Sequence, residues 1–153
     1  MKRLFKYALT IAAMSGLMAA PVFGQTEIHV LDVGQGLSVL VESQGHYMLY
    51  DGGDRNKSSF VVAYLKEEKV NSLDYVIASH YDADHLNGVV GALNVFPVKQ
   101  VFSPDYTTDT RVFNSFHSVI DTKSIDRKQP KVGAVYQLGD ASFQILSPSG
   151  DDY

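Results

Sequence analysis

The sequence predicts an α/β (α+β layered) fold, in which a mixed sheet carries helices on one face. Residues 26–51 contain three short segments of alternating polarity separated by glycine turns, which is typical of an antiparallel meander. From residue 58 onward, helical and strand-like spacings of apolar residues alternate along the chain. One segment, "LDYVIAS" at 73–79, is almost entirely apolar, as expected of a strand buried on both faces.

The individual elements follow from these patterns in chain order. We predict strands at 26–33, 37–43, 46–51, 73–79 and 98–103, and two final strands within 134–147 around a turn at Gly139-Asp140. We predict a helix that Ser58 or Ser59 caps, with its exposed end at 66–69. A second helix is expected from about Leu86 to Phe96, where Pro97 stops it, and a third at 110–120.

Residues 1–24 have the layout of a secretory signal peptide. Lys2, Arg3 and Lys6 precede an acid-free apolar run that ends in small residues. The apolar run is shorter than the roughly 20 residues that a membrane span needs. We therefore predict cleavage after Gly24, export to the periplasm or the medium, and a mature domain at 25–153 with no stable membrane span. An uncleaved N-terminal anchor is the alternative.

Charge and cysteine content exclude some functions. Loss of the leader removes three positive charges, so the formal charge changes from −4 to −7. An acidic chain has no general attraction for nucleic acid phosphates, so a role on nucleic acid would need a metal or a local basic patch. The chain has no cysteine, which excludes disulfides and thiolate zinc sites. Any metal must be held by His, Asp and Glu.

The loop "SHYDADH" at 79–85 contains four potential metal ligands within six residues, namely His80, Asp82, Asp84 and His85. It follows the predicted buried strand, at a strand end where a rigid sheet commonly fixes catalytic groups. Alternation in an extended loop would bring His80, Asp82 and Asp84 to one side and turn His85 away. In the simpler alternative, Asp84 caps the next helix and the two histidines are ordinary surface residues.

Three ordered motifs give the chain a resemblance to a known family. "HYDADH" resembles the "HxHxDH" motif of metallo-β-lactamase-fold hydrolases, with Asp in place of the second His. Upstream, "HVLDVGQGLSVLVES" and "YMLYDGG" resemble the C-terminal hydrolase domain of ComEC-type competence proteins. The resemblance runs from about Glu27 to Pro148. It implies the N-terminal half of an αββα sandwich.

The resemblance also implies roles for individual residues. His80 and Asp82 would bind one metal ion, and Asp84 and His85 a second one. Asp84 would in addition be catalytic, because in the family this residue steers the attacking water. The implied supporting residues behind and beside the ligands are Asp51, Asp32, Gly34 and Gly36.

The implied chemistry is hydrolysis by a metal-activated water, with Zn²⁺ at two sites and Mn²⁺ as a possible substitute. The expected substrates are phosphodiesters, either small molecules or nucleic acids. Two departures bear on this expectation: Leu37 stands where the subfamily has Asp, and the sequence ends near "ILSPSGDDY", before the second half that supplies further ligands. "LGD" at 138–140 could substitute for a later ligand motif, but its hairpin spacing favours a turn.

Two hypotheses therefore follow from the sequence. The first is an exported metallo-hydrolase of the ComEC-like type. The second is a truncated, catalytically inactive module that binds metal or a partner. A half-sandwich would leave one face of the sheet uncovered, so self-association through that face is also expected. His29, His46 and His117 are interpreted as ordinary histidines outside the site.

Overall fold

A computed structural model of the chain describes residues 24–147, and its main feature is a six-stranded mixed sheet whose strands lie in sequence order. The strands are β1 (Thr26–Val30), β2 (Val39–Ser43), β3 (His46–Tyr50), β4 (Leu73–Ile77), β5 (Val98–Phe102) and β6 (Asp126–Lys128). β1 to β3 pair antiparallel, and β3 to β6 pair parallel. The sequence correctly predicted this change from a meander to strand–helix alternation. The predicted signal peptide, apart from Gly24, lies outside the described residues.

Three helices connect the parallel strands and pack on one face of the sheet. They are α1 (Ser58–Glu67), α2 (Ala83–Val95) and α3 (Arg111–Lys123). The alternate strand residues Leu40, Leu49, Val76 and Val101 are fully buried beneath them. β4 pairs with a strand on each side, and both of its faces are covered. The prediction that the nearly continuous apolar run at 73–79 forms a strand buried on both faces is confirmed.

A hairpin of β7 (Val135–Leu138) and β8 (Ala141–Gln144) packs on the opposite face of the sheet. Its Leu138 contacts a cluster that contains Met48, Ile77 and Phe102. The hairpin covers only part of this face, because Ile28 and Val30 of β1 remain 67% and 73% exposed. The interpretation of 138–140 as a turn is confirmed; self-association through the exposed part of the face stays a prediction.

Some predicted boundaries were wrong. α2 begins at Ala83 rather than at Leu86, so the metal-ligand loop includes the first turn of the helix. Neither Ser58 nor Ser59 caps α1; a short 3₁₀ helix at Arg55–Lys57 leads directly into it, with Lys57 at the N-cap. β6 was missed because its three residues, Asp-Arg-Lys, show no apolar alternation and pair with only one neighbour.

Within residues 24–147, none of the helices has the length and apolar character that crossing a membrane requires.

The side chain of Asp74 bonds the start of β4 to the neighbouring strands β3 and β5. Its carboxylate accepts hydrogen bonds from the backbone N–H of Tyr47 at 3.2 Å and from the Lys99 ammonium, and it contacts His46 Nδ1 at 3.1 Å. Burial alone would raise the pKa of Asp74, but the bonds from Lys99, Tyr47 and His46 outweigh it and hold that pKa below its usual value.

We expect Asp74→Asn to flatten the dependence of stability on pH in acid. The folded pKa of Asp74 lies below the usual value of 3.8. The stabilisation that ionised Asp74 contributes is therefore fully present above pH 3.8 and is lost as the pH falls through the folded pKa. Denaturant unfolding measured across this acid range should show a shallower decline for Asp74→Asn than for the unchanged protein. The exposed Asp126→Asn is the matched control; an unchanged slope in Asp74→Asn would contradict the assignment.

Candidate metal centre

The candidate site lies at the carboxyl ends of the neighbouring parallel strands β3 and β4. Asp51 directly follows β3, and Ser79 and His80 follow β4. The N-terminus of α2 at Ala83 completes the site, because the chain turns there from the loop into the helix. Ligands commonly bind at this end of parallel strands, since the loops that follow them converge there.

Asp51 is the fully buried anchor of the site. Its backbone lies in the left-handed region, with φ at 56°, which Asp tolerates better than most residues. One carboxylate oxygen accepts a hydrogen bond from the Ser79 backbone N–H at 2.8 Å. The other accepts from the Ser79 hydroxyl at 2.6 Å and contacts His85 Nδ1 at 2.8 Å. A buried carboxylate with three such partners fixes the positions of both neighbours.

The two histidine rings of the loop lie side by side, with their centroids 4.0 Å apart. Asp51 holds His85 by Nδ1, which leaves His85 Nε2 directed away from that carboxylate. His80 Nδ1 lies 2.8 Å from the Ser79 hydroxyl, so its Nε2 is likewise the nitrogen left for a ligand. Histidines that bind metals are usually oriented in this way through their second ring nitrogen.

The two aspartates of the loop each lie near one histidine. Asp82 is 3.5 Å from His80 Nε2, and its side chain is 76% exposed. Asp84 is 3.9 Å from His85 Nε2, and its side chain is 26% exposed. The site therefore contains two His–Asp pairs, His80 with Asp82 and His85 with Asp84.

The expectation that His85 turns away from the other ligands is wrong. Alternation applies only while the chain is extended, and the backbone is extended at Asp82 but helical from Ala83 onward. Asp84 and His85 therefore belong to the first helical turn, which returns the His85 ring to the side of His80. The simpler interpretation in which Asp84 caps the helix is also wrong. Asp82 is the N-cap residue, and its side chain makes no capping bond.

The turn at 32–37 lies against the start of α2. Gln35 donates a hydrogen bond from its side-chain amide to the Asp84 carboxylate at 3.2 Å. This bond lowers the pKa of Asp84, and the nearby His85 and His80 add to the effect. Gly36, with φ at 96°, passes so close to α2 that a Cβ there would lie 1.8 Å from the Asp84 carbonyl oxygen.

The other two predicted supporting residues of this turn make no hydrogen bond to the loop 80–85 within residues 24–147. Asp32 is exposed, and its carboxylate accepts a hydrogen bond from the Gly34 backbone N–H at 3.1 Å. Gly34 has φ at 72° but open space around the position of a Cβ. Across residues 24–147, no hydrogen bond or ion pair joins Asp32 to the loop 80–85. The structure thus gives Asp32 a role in shaping the turn.

Two glycines bring Asp51 and α2 together. The Gly52 backbone N–H donates to the His85 carbonyl at 2.8 Å, and that of Gly88 donates to the Gly53 carbonyl at 3.3 Å. A Cβ on Gly88 would lie 1.8 Å from the Gly52 carbonyl oxygen. The segment after β3 and the helix that carries His85 therefore make backbone contact that no other residue type allows.

Sequence reasoning missed Ser79, Gln35 and Gly88 as contributors to the site. Ser79 directly precedes His80, and that position was its only sequence signal. The Gln35–Asp84 bond spans 49 positions, so nothing in the local pattern indicates it. Gly88 lies within a helix, where an isolated glycine that lowers helix propensity often has a packing reason.

The histidines interpreted as ordinary differ from one another. His46 contacts Asp74 at the far end of β3. His117 on α3 is partly buried, and its Nε2 has no hydrogen-bond partner within residues 24–147. Burial, followed by the positive charge of Arg127, lowers the pKa of His117. His29 lies on β1 near two glutamates, away from the candidate centre.

The donor set fits divalent metal ions. Each pair offers one imidazole nitrogen and one carboxylate, which are ligands that zinc and manganese accept. In the described part of the chain, no three of the four loop ligands have ligand atoms that all lie within 4.8 Å of one another. Each pair therefore offers two ligands that could hold one ion, with room for further ligands or water.

Comparison with known proteins agrees with this geometry. The sequence profile of the Metallo-beta-lactamase superfamily matches residues 31–115. Recombination protein 2 of Haemophilus influenzae is 32% identical over 127 residues, which is 80% of this chain and 14% of that protein. ComE operon protein 3 of Bacillus subtilis is 24% identical over 144 residues, or 82% of this chain and 19% of that protein. The chain thus spans only a small part of the length of these relatives.

Solved structures show the same fold. A crystal structure of the metallo-beta-lactamase SMB-1 bound to 2-mercaptoethanesulfonate superposes with a TM-score of 0.57 at 16% sequence identity. The match covers 78% of this chain and 49% of that one. At this identity the likeness concerns the fold alone. The predicted fold class is thereby confirmed.

Proposed function

Because this chain belongs to the metallo-beta-lactamase superfamily, we propose that it is an exported, ComEC-like, metal-dependent hydrolase that cleaves phosphodiester bonds. Members of the superfamily generally bind divalent metals, commonly zinc. The observation that carries the proposal is the pair of side-by-side histidines, each with Nδ1 held and with an aspartate near Nε2.

His80 and Asp82 would hold one ion, and Asp84 and His85 the other, with zinc as the expected metal. A bound divalent ion supplies a more acidic water and a positive charge near the reacting group. Asp51 and Ser79 orient the two imidazoles so that neither ring has to reorganise. Gln35 donates a hydrogen bond to the Asp84 carboxylate and lowers its pKa, which favours the ionised form that can bind a metal ion.

A groove that touches the site at Ser79, and is lined by none of the four ligand residues, could receive an apolar part of the substrate. It has a volume of about 510 Å³, lies between the six-stranded sheet and the hairpin, and reaches Ser79. Its walls are largely apolar and include Met48, Tyr50, Ile77 and Phe143. A groove with apolar walls and a polar end is the usual form of a small-molecule site.

Two features favour phosphodiesters, including DNA, as the substrate class. The relatives with similar sequences include one that is named a recombination protein, and recombination acts on DNA. The site is also rich in carboxylate, so a negatively charged substrate would bind only with metal ions present. We propose that metal ions, rather than basic side chains, attract the phosphate.

A second candidate is a catalytically inactive module that binds metal weakly or contacts a partner. It is favoured by the ligand set within residues 24–147, where each pair contributes only two ligands whereas catalytic zinc usually has three.

His80→Ala separates the two candidates. In the hydrolase, this change should lower the zinc content and slow the cleavage of bis(p-nitrophenyl) phosphate by about 100-fold or more. Loss of a residue that only orients a metal ligand already costs about 10- to 100-fold, and His80 is expected to be a ligand itself. Zinc content and turnover should be measured on protein from the complete sequence. His46→Gln is the matched control, because His46 lies at the opposite end of β3. Equal turnover in His80→Ala would contradict the proposal.

A further inference from the structure

We propose that Glu27, His29 and Glu42 form a separate binding site for a divalent transition-metal ion at the edge strand β1. Each residue offers one ligand atom, and these atoms lie within 4.8 Å of one another. Within residues 24–147, no other group of three His, Asp or Glu side chains meets this distance. The trio is therefore more compact than the candidate metal centre.

The sheet register places the three side chains on one face. Glu27 lies directly opposite Glu42 in the antiparallel pairing of β1 and β2, and His29 is two positions along β1. His29 lies opposite the buried Leu40, which faces the helices. Alternate residues of a strand share a face, so the trio lies on the helix side of the sheet.

The trio is also remote from the candidate centre. Glu42 pairs with Tyr47 at one end of β3, whereas Asp51 follows the other end. Strands rise about 3.3 Å per residue, so the two sites are roughly 13 Å apart along the strand. A metal bound at one site therefore cannot share ligands with the other.

The charge of the trio favours a cation. Two carboxylates directly opposite each other on paired strands repel. Within residues 24–147, neither Glu27 nor Glu42 has a Lys or Arg partner within 4.0 Å; Glu27 has only His29 Nε2, at 3.5 Å. A divalent ion between the carboxylates would neutralise both charges.

His29 is oriented to bind such an ion. Its side chain is 15% exposed, and its Nδ1 lies 2.8 Å from the Tyr64 hydroxyl. The His29 tautomer that donates from Nδ1–H to the Tyr64 hydroxyl leaves the lone pair on Nε2. That nitrogen is buried and makes no hydrogen bond within the described residues, although it lies 3.5 Å from the Glu27 carboxylate.

Glu42 lies directly opposite Tyr47 in the pairing of β2 with β3, and after burial its charge is the main cause that raises the pKa of Tyr47. One imidazole and two carboxylates make a mixed nitrogen and oxygen set, which suits Zn²⁺ or Mn²⁺ better than Ca²⁺ or Mg²⁺. Three protein ligands leave a fourth position for water.

The test measures metal binding in protein from the complete sequence that carries His80→Ala and His85→Ala, so that the candidate centre is impaired. This variant should still bind about one Zn²⁺ per chain, as expected for a site with three protein ligands. Adding His29→Gln should weaken that binding by at least about 10-fold. Adding His46→Gln instead should leave it unchanged.

Mn²⁺ gives a second readout. In the variant with His80→Ala and His85→Ala, it should broaden the amide resonances of Glu27, His29 and Glu42, and adding His29→Gln should remove this broadening. Broadening at 79–86 alone, or zinc binding that persists at full strength with His29→Gln, would overturn the inference. If His29→Gln fails to fold, Glu42→Gln tests the same site with nearly the same side-chain volume.

Discussion

Asp51→Ala is expected to destabilise the protein by about 3 kcal/mol or more and to weaken metal binding at the candidate centre by about 10- to 100-fold. The carboxylate is fully buried and binds the Ser79 N–H, the Ser79 hydroxyl and His85. Its removal leaves these groups without an acceptor, at a cost of about 1–3 kcal/mol for each donor that stays buried. It also frees the His85 ring to rotate. Denaturant unfolding and zinc competition with a chelator measure the two effects.

Asp51→Asn is the control that separates orientation from folding. Asn has the same shape and tolerates the left-handed backbone that this position requires. It keeps one acceptor oxygen but loses the charge. We expect it to fold with a smaller loss of stability and still to bind metal more weakly. Unchanged metal affinity in both variants would contradict the role of Asp51 in orienting His85.

Gly88→Ala is expected to destabilise the protein by about 3 kcal/mol and to abolish metal binding with it. The new Cβ would lie 1.8 Å from the Gly52 carbonyl oxygen and 2.6 Å from its carbon, and both are backbone atoms that cannot rotate away. To avoid this clash, α2 would have to move away from the segment after β3. That movement would lengthen the hydrogen bond of 2.8 Å from the Gly52 backbone N–H to the His85 carbonyl. Thermal and denaturant unfolding measure the loss.

Gly91→Ala is the matched control within the same helix. There the nearest atom to a Cβ is the Ser58 hydroxyl oxygen at 2.3 Å, which belongs to a side chain that can rotate. Alanine also improves helix propensity by about 1 kcal/mol over glycine. We therefore expect a change within about 1 kcal/mol. Equal losses at the two glycines would show that helix flexibility, and not the backbone contact, accounts for the effect.

Local sequence pattern predicted the features that depend on neighbouring residues. The apolar run at 73–79 and the density of ligands directly after it predicted a buried strand followed by a site. The likeness of "HYDADH" to a known motif supplied the pairing of ligands, which spacing alone did not. Alternation gave the wrong orientation for His85, because the helix begins three residues earlier than its apolar pattern indicates.

The contacts that fix the site could not be predicted, because they join distant parts of the chain. Gln35 reaches Asp84 only when the turn after β1 lies over the start of α2. Ser79 and Asp51 are 28 positions apart, and the sequence around Asp51 does not indicate its left-handed backbone. The compact trio of Glu27, His29 and Glu42 depends on the register of β1 with β2.

The most direct test of the central claim is the turnover of bis(p-nitrophenyl) phosphate as metal is returned to stripped protein. For protein from the complete sequence, we predict no turnover without metal. Turnover should rise with Zn²⁺ or Mn²⁺ and saturate, and Asp84→Asn should abolish this gain. Protein that binds metal at the loop 80–85 yet shows no turnover at any metal concentration would contradict the claim of a metal-dependent hydrolase.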